Sequence, residues 1–271
     1  MRGLTLRNAQ RAVMCEYCMR VAVLSSGGKD STFVVWWALM NGWDVSMIVT
    51  VRVAANDSMM FQREGTAIAG VQAAAAGIPW LPILDSNIEG IDSLENALMP
   101  FVHGSPWPRS EIWSQMDSIN ANWPSWNAMK PIMARPGLPI EGIVSGALRS
   151  DYQRTRLDMM ANRLGIHSFS PLWHMPAIIH MKNLVQCNFD VRFTAVSAEG
   201  LDQSWLNRRL DIECINDLID LEQNYGINID GEGGEFETTV LSAPWFNSIK
   251  WNTEIDWQRN RGSLVIHDVF N

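Results

Sequence analysis

The sequence is poor in cysteine, with Cys15, Cys18, Cys187 and Cys214 in 271 residues. So few rule out a disulfide-stapled scaffold and fit a reduced, cytoplasmic chain. Cys15 and Cys18 have the spacing of half a zinc knuckle, but no second CxxC or close histidine pair completes a metal site. His103, His167, His174, His180 and His267 show no metal-ligand spacing and are read as structural. No stretch approaches the roughly 20 apolar residues that a membrane span needs. The N-terminus carries arginines but lacks the apolar core and cleavage site of a secretory signal. Positive charge is scarce too. The 21 Lys and Arg against 29 Asp and Glu leave a net charge of −8, which argues against non-specific wrapping of nucleic acid. The GxxxxGK[ST] spacing of a Walker loop is absent.

What is present is a folding composition, 47% apolar, with an excess of 13 tryptophans that reads mainly as packing. The apolar run from Val21 to Leu24 predicts a strand buried on both faces. A helix is expected from about Ser31 to Asn41, apolar nearly all round and ending at Gly42. Further strands are expected over 45–53, 80–84 and 140–145. An alanine-rich helix is expected over about 65–76, and another over 151–164 that ends at Gly165. Strands alternating with helices predict a parallel sheet with right-handed crossovers. Residues 1–18 precede the first strand as an N-terminal extension. Between about Asp85 and Arg135 the pattern breaks into a Trp-rich insertion, expected to be a lid or a docking surface. From Phe189 onward the character changes. Strands over 191–196, 236–241, 249–257 and 263–270, a helix over 210–224 and a turn at 259–262 predict a smaller α+β domain.

The first strand runs into Ser25-Ser26-Gly27-Gly28-Lys29-Asp30-Ser31, which then opens a helix. Such a junction suits an anion: the glycines allow close backbone approach, and the helix N-terminus offers unpaired N–H groups and partial positive charge. Lys29 adds a full charge and Ser26 and Ser31 add hydroxyl donors. Asp30 can cap the helix or hold Mg²⁺.

Ser26 to Ser31 resembles the signature of the Asn-type ATP pyrophosphatases, which split ATP between its α and β phosphates. Two further segments narrow the resemblance. One is Ser145-Gly146-Ala147-Leu148-Arg149-Ser150-Asp151-Tyr152-Gln153-Arg154-Thr155-Arg156. The other is Gly231-Glu232-Gly233-Gly234-Glu235-Phe236-Glu237-Thr238. With Pro171-Leu172-Trp173 and Gly200 to Leu206, these look like the diphthine–ammonia ligase family from Met19 to about Pro244. The resemblance implies a Rossmann-like parallel sheet (HUP-type, PP-loop) over 19–172 and an α+β substrate domain over 173–271. The chain departs from the family pattern at Ser25, Ser242 and His174, where an aromatic residue, Asp and Gly are usual.

The activity implied is an ATP-dependent amidation. The carboxylate of diphthine, on translation elongation factor 2, would be adenylated and attacked by ammonia, with AMP and pyrophosphate leaving. ATP and Mg²⁺ are the cofactors implied, and elongation factor 2 and ammonium the partners. Ser26 to Ser31, with Ser145 and Gly146, would hold ATP. Lys29, Arg154, Glu235 and Glu237 would act catalytically, and Arg149, Asp151, Tyr152, Arg156 and Glu232 would meet the substrate. By spacing alone, Glu232, Glu235 and Glu237 read as surface acids of a glycine-rich turn; the resemblance reverses that, and acids so close together call for a cation or a proton between them. Mg²⁺, ammonium or the trimethylammonium of diphthine would serve. A PP-loop tRNA-modifying enzyme and a non-catalytic ATP-binding module are the rival readings. The first wants catalytic or cluster-binding cysteines, the second no acids or arginine helix.

Overall fold

Five short apolar segments pair side by side to make the first sheet. They are β1 (Arg20–Leu24), β2 (Asp44–Val53), β3 (Trp80–Asp85), β4 (Gly142–Val144) and β5 (His167–Phe169). The computed structural model describes residues 18–53, 67–85, 91–103 and 124–270. The N-terminal extension up to residue 17 and the tryptophans at 107, 113 and 123 lie outside the described residues. The strand order is β3-β2-β1-β4-β5 and every pairing is parallel. From β1 the chain first builds outward to β2 and β3, then returns to the other side of β1 for β4 and β5. The crevice at that reversal, beyond the carboxyl ends of β1 and β4, is where open α/β sheets bind ligands.

The crossovers are helical, as the alternating pattern predicts. Helix α1 (Lys29–Met40) begins at Gly28, whose backbone is extended, and α2 (Ala67–Ala76) follows β2. The small residues of α2 let it lie close on the sheet, with Ile68 to Ala74 buried. Helix α4 (Asp151–Leu164) is capped by the Ser150 hydroxyl, which accepts from Gln153 N–H at 3.3 Å, and ends on a left-handed Gly165 with φ 71°. Strand β4 is shorter than the expected 140–145. Its flanks are still bonded, with Glu141 N–H to the Arg20 carbonyl at 2.7 Å and Ser145 N–H to the Phe169 carbonyl at 2.9 Å.

Three elements go beyond the sequence expectation. Helix α3 (Ile91–His103) occupies part of the presumed Trp-rich insertion, burying Ile91, Leu94, Leu98 and Phe101 at helical spacing despite Pro100 in its last turn. Arg163 of α4 donates to Glu95 of α3 at 3.0 Å. At the other end of that insertion, Trp80 N–H donates to the Ile132 carbonyl and Ala134 N–H to the Trp80 carbonyl, both at 2.8 Å. Strand β5 is three residues long, too short for periodicity to show. Helix α5 (Ala177–Gln186) follows Pro176. It comes after His174, which takes φ 57°. That is the left-handed conformation a glycine adopts freely, and it gives a physical sense to the family's glycine at that position.

The second sheet is antiparallel, in the order β7-β6-β9-β8. Its strands are β6 (Asp190–Val196), β7 (Phe236–Ser242), β8 (Lys250–Gln258) and β9 (Arg261–Phe270). Helix α6 (Ile212–Tyr225) covers it, capped by Asp211, whose carboxylate accepts from Cys214 N–H at 2.8 Å. The β8–β9 turn places Arg259 at φ 58°. Both sheets share one core, which runs from Val23, Val34 and Val35 to Phe189, Phe193, Leu218 and Val240. Among the described residues no helix is long and apolar enough to cross a membrane.

Gln72 ties the two sheets together. Its buried amide donates to the Gly27 carbonyl at 3.0 Å and to the Val240 carbonyl at 2.8 Å. Gln72→Leu keeps the volume but removes the donor, and should cost about 1–3 kcal/mol of stability in denaturant unfolding. An unchanged unfolding midpoint would show that the tie is energetically idle.

Candidate functional site

The Ser25–Ser31 turn is shaped from beneath by a buried chain of hydrogen bonds. Trp80 Nε1 donates to Thr50 Oγ1 at 2.9 Å, and that hydroxyl donates to the Ser25 carbonyl at 2.8 Å. Ser31 Oγ closes the turn from above, accepting from Ser25 Oγ at 3.2 Å and Ser26 N–H at 3.3 Å. Gly27 lies at φ 87°, and a Cβ there would come within 2.3 Å of Ile68 Cγ2, so only glycine fits. Its carbonyl faces the second sheet and accepts from Val240 N–H at 3.0 Å. Gly146, which follows β4, is equally constrained. A Cβ on it would lie 2.9 Å from Ser31 N, against the backbone of the first turn of α1.

These loops enclose a cavity of about 330 Å³ at the crevice predicted from the strand order. Ser26, Gly28, Lys29, Asp30 and Ser31 form its floor, Ser145 and Gly146 one wall, and Glu232 and Glu237 the opposite wall. Gly27 supports that floor from beneath. Three segments far apart in sequence therefore face one space. Leu24, Val49, Val51 and Leu157 supply an apolar side, the kind of surface a flat heterocycle packs against. Ser145 Oγ lies 3.1 Å from Ser170 Oγ, at the end of β5.

The charges at the site come in matched pairs. Lys29 is almost wholly buried, and its Nζ donates to Asp30 Oδ2 at 2.9 Å. His180, fully buried on α5, meets Asp30 Oδ1 at 2.7 Å. Burial alone would raise the Asp30 pKa; the charge of Lys29 and the bond to His180 outweigh it and hold the carboxyl down at about 2. Arg149 pairs with Asp230, which is fully buried. Glu232 lies on the rim of the same cavity and its pKa moves the other way. Loss of water raises it first, and the negative charge of Asp30 raises it further.

The remaining expected residues part company. Glu235 turns away from the cavity: its Oε1 accepts from Asn228 N–H at 2.9 Å and Nδ2 at 2.6 Å. Burial would raise its pKa, but the bonds from Asn228 and neighbouring backbone amides lower it. Arg154 stacks on Trp173, 4.5 Å from the ring centre, and pairs with Asp158 at 3.5 Å. Both arginine and tryptophan line a second hollow behind α4, about 360 Å³, which also receives His167, Ser168 and Ser170. Arg156 lies over the Tyr152 ring, and Asp151 and Tyr152 stand exposed on the first turn of α4. Gln153 and Leu157, one helical turn apart, are the α4 residues that face the cavity. Gln153 stands inside the second motif, but no motif pointed to Leu157, Gln72 or His180. For Thr238 the strand alternation was a usable signal, and its Oγ1 accepts from Lys29 N–H at 3.2 Å.

Comparison with known proteins identifies the family. Residues 19–97 match the family described as diphthamide synthase, N-terminal domain, and residues 159–270 match its C-terminal domain. The human diphthine–ammonia ligase is 29% identical over 236 residues, covering 84% of this chain and 80% of that one. The rat protein of the same name is 30% identical with the same coverage. The fission yeast protein is 27% identical over 232 residues, which are 35% of its length. The chain belongs to the diphthine–ammonia ligase family. The two matched regions bracket the site. One carries the phosphate loop, and the other carries α5 with His180 and the Gly231–Thr238 turn.

The Asp30 shift predicts a pH dependence. Its folded pKa lies below the unfolded value near 3.9, so its contribution is complete above about pH 5 and is lost as pH falls through about 2. The stability gap between wild type and Asp30→Asn should be on the order of 2 kcal/mol at neutral pH and shrink between pH 4 and 2. Urea midpoints at a series of pH values measure this, and a gap independent of pH would refute it.

Proposed function

We propose that this protein is an ATP-dependent amide ligase that adenylates the carboxylate of diphthine and amidates it with ammonia to diphthamide. The modified protein would be translation elongation factor 2, and the reaction would take place in the cytoplasm. The observation that carries this reading is the convergence of all three motif segments on one cavity at the switch point of the sheet. The names borne by the relatives supply the substrate class.

The chain's own groups suit that chemistry. The first turn of α1 offers N–H groups without intrahelical partners, and Lys29 brings a buried positive charge to the same floor. A charge withdrawn from water acts strongly on negative charge that grows at an α-phosphate during adenylation. Ser26, Ser31 and Ser145 add hydroxyls able to orient phosphate oxygens. The apolar side formed by Leu24, Val49 and Val51 fits the adenine base. Asp30 has both carboxylate oxygens engaged by Lys29 and His180, and Glu237, on the cavity wall, is the lining carboxylate that would meet Mg²⁺. When bound, Mg²⁺ would neutralise phosphate charge. Glu232, with its raised pKa, is suited to hold ammonium at the rim and to take a proton from it, as amidation requires ammonia.

With a diphthine-bearing acceptor and ammonium, the protein should convert ATP to AMP and pyrophosphate, and the acceptor should change in mass from acid to amide. ADP and phosphate as products would refute the assignment. Lys29→Ala should lower kcat/KM for ATP by roughly 10²–10³-fold. Unchanged turnover in that variant would show that the loop is structural only.

A further inference from the structure

We infer that His180 is a positioning residue for the reaction, bracing Asp30 so that Asp30 can fix the Lys29 ammonium over the phosphate site. The inference rests on the reading of the cavity as an ATP site. It adds a residue from outside all three motifs.

Lys29 has four rotatable side-chain bonds, and a catalytic charge acts usefully only when held within about 0.5 Å of its working position. Its one hydrogen-bonded anchor among the described residues is Asp30 Oδ2, at 2.9 Å, with the Phe236 ring centre 5.8 Å away. Asp30 stands in the first turn of α1, where its own side chain could turn unless the second oxygen were also held. His180 holds it: Nε2 lies 2.7 Å from Asp30 Oδ1. The ring cannot follow a swing of the carboxylate. It is fully buried on α5, followed on the same helix by buried Met181 and Leu184, and it meets the Phe33 ring edge-on with centroids 5.2 Å apart. Phe33 belongs to the same helix as Lys29 and Asp30, so the imidazole is keyed to the element whose first turn it braces.

Asp30 is ionised and can only accept, so Nε2 carries a hydrogen and donates it. Nδ1 is buried with no hydrogen-bond partner among the described residues. A buried ring nitrogen left unpaired is a cost to the folded state. Judged by packing alone, an apolar side chain of similar size would serve better here, as Met181 and Leu184 do beside it. What the imidazole adds is the bond to Asp30, and through Asp30 the placement of Lys29. Lys29, Asp30 and His180 thus form one hydrogen-bonded line from the cavity floor into the helix layer beneath the second sheet.

The test compares His180→Leu, which keeps bulk and removes the donor, with His180→Gln, which restores an N–H donor. Steady-state AMP formation and thermal melting are measured on the full chain, with ATP, ammonium and a diphthine-bearing acceptor. His180→Leu is expected to melt within about 3 °C of wild type. Its kcat should fall roughly ten- to a hundredfold while KM for ATP stays within about threefold, and His180→Gln should recover most of the loss. A folded His180→Leu with wild-type kcat overturns the proposal, as does a loss that His180→Gln leaves untouched. The ¹⁵N spectrum of the wild-type histidines gives an answer that does not depend on the variants folding. It should show the His180 proton on Nε2, and a proton on Nδ1 alone would overturn the brace. A wild-type chain that forms no AMP contradicts the ligase reading, whereas the spectrum still judges the contact between His180 and Asp30.

Discussion

The Gly27 carbonyl joins the two halves of this molecule. It accepts from Val240 N–H on the second sheet and from the Gln72 amide on α2. A carbonyl at this place, in the turn before a helix, would ordinarily be left to solvent. Here it is buried, so its desolvation has to be offset by partners, and the partners come from elements some 45 and 213 positions away. Everything else at the site presupposes that docking. It brings Thr238 to Lys29 N–H, Trp245 Nε1 to the Thr32 carbonyl, and the Gly231–Glu237 turn to the cavity wall. The phosphate loop is therefore not a feature of the parallel sheet alone, because its floor is finished by a strand of the antiparallel one.

The second physical theme is that two acids lining the same small space shift in opposite directions because their partners differ. Asp30 and Glu232 both lose water, and for both that loss is the largest single influence. Asp30 has a buried ammonium and an imidazole in direct contact and is held well below the usual carboxylate range. Glu232 feels Lys29 and Arg149 only at a distance, with Asp30 and Asp230 opposing them, and is pushed up. One cavity thus holds two carboxylates whose surroundings push their pKa values in opposite directions.

The tryptophan excess turns out largely to serve packing among the described residues. Trp37 and Trp43 meet edge to face beneath β5, Trp205 packs on Phe193, and Trp245 packs on Phe246. Trp80 and Trp245 also spend their indole N–H groups on the frame of the phosphate loop, which is the use an amphipathic ring allows. Trp173 differs, since its face is covered by Arg154 beside the second hollow.

The fold class was legible in the residues because its signals are local. Apolar runs such as Val21–Leu24, the Gly165 stop of α4, and the glycines of Ser25–Ser31 each act on their own few neighbours. Alternation and handedness predicted a parallel sheet but left open the strand order that puts the loop at a switch point. Elements without a local signal were lost: β5 is three residues long, α3 hides behind Pro100, and α5 has no side-chain cap. Within the site, motifs identified which loops matter but not which way their side chains face. Glu235 and Glu237 are two residues apart and resemble each other in sequence. Yet Asn228 captures the first, and the strand beginning at Phe236 carries the second into the cavity. Arg149 and Arg154 likewise share one motif and end with Asp230 and Trp173. His180 and Gln72 were invisible because each does its work on a backbone turn or a carboxylate that only chain closure brings near. A side chain's chemistry is written in its residue type, but its partner is chosen by packing across the whole chain, and no spacing along the sequence encodes that distance.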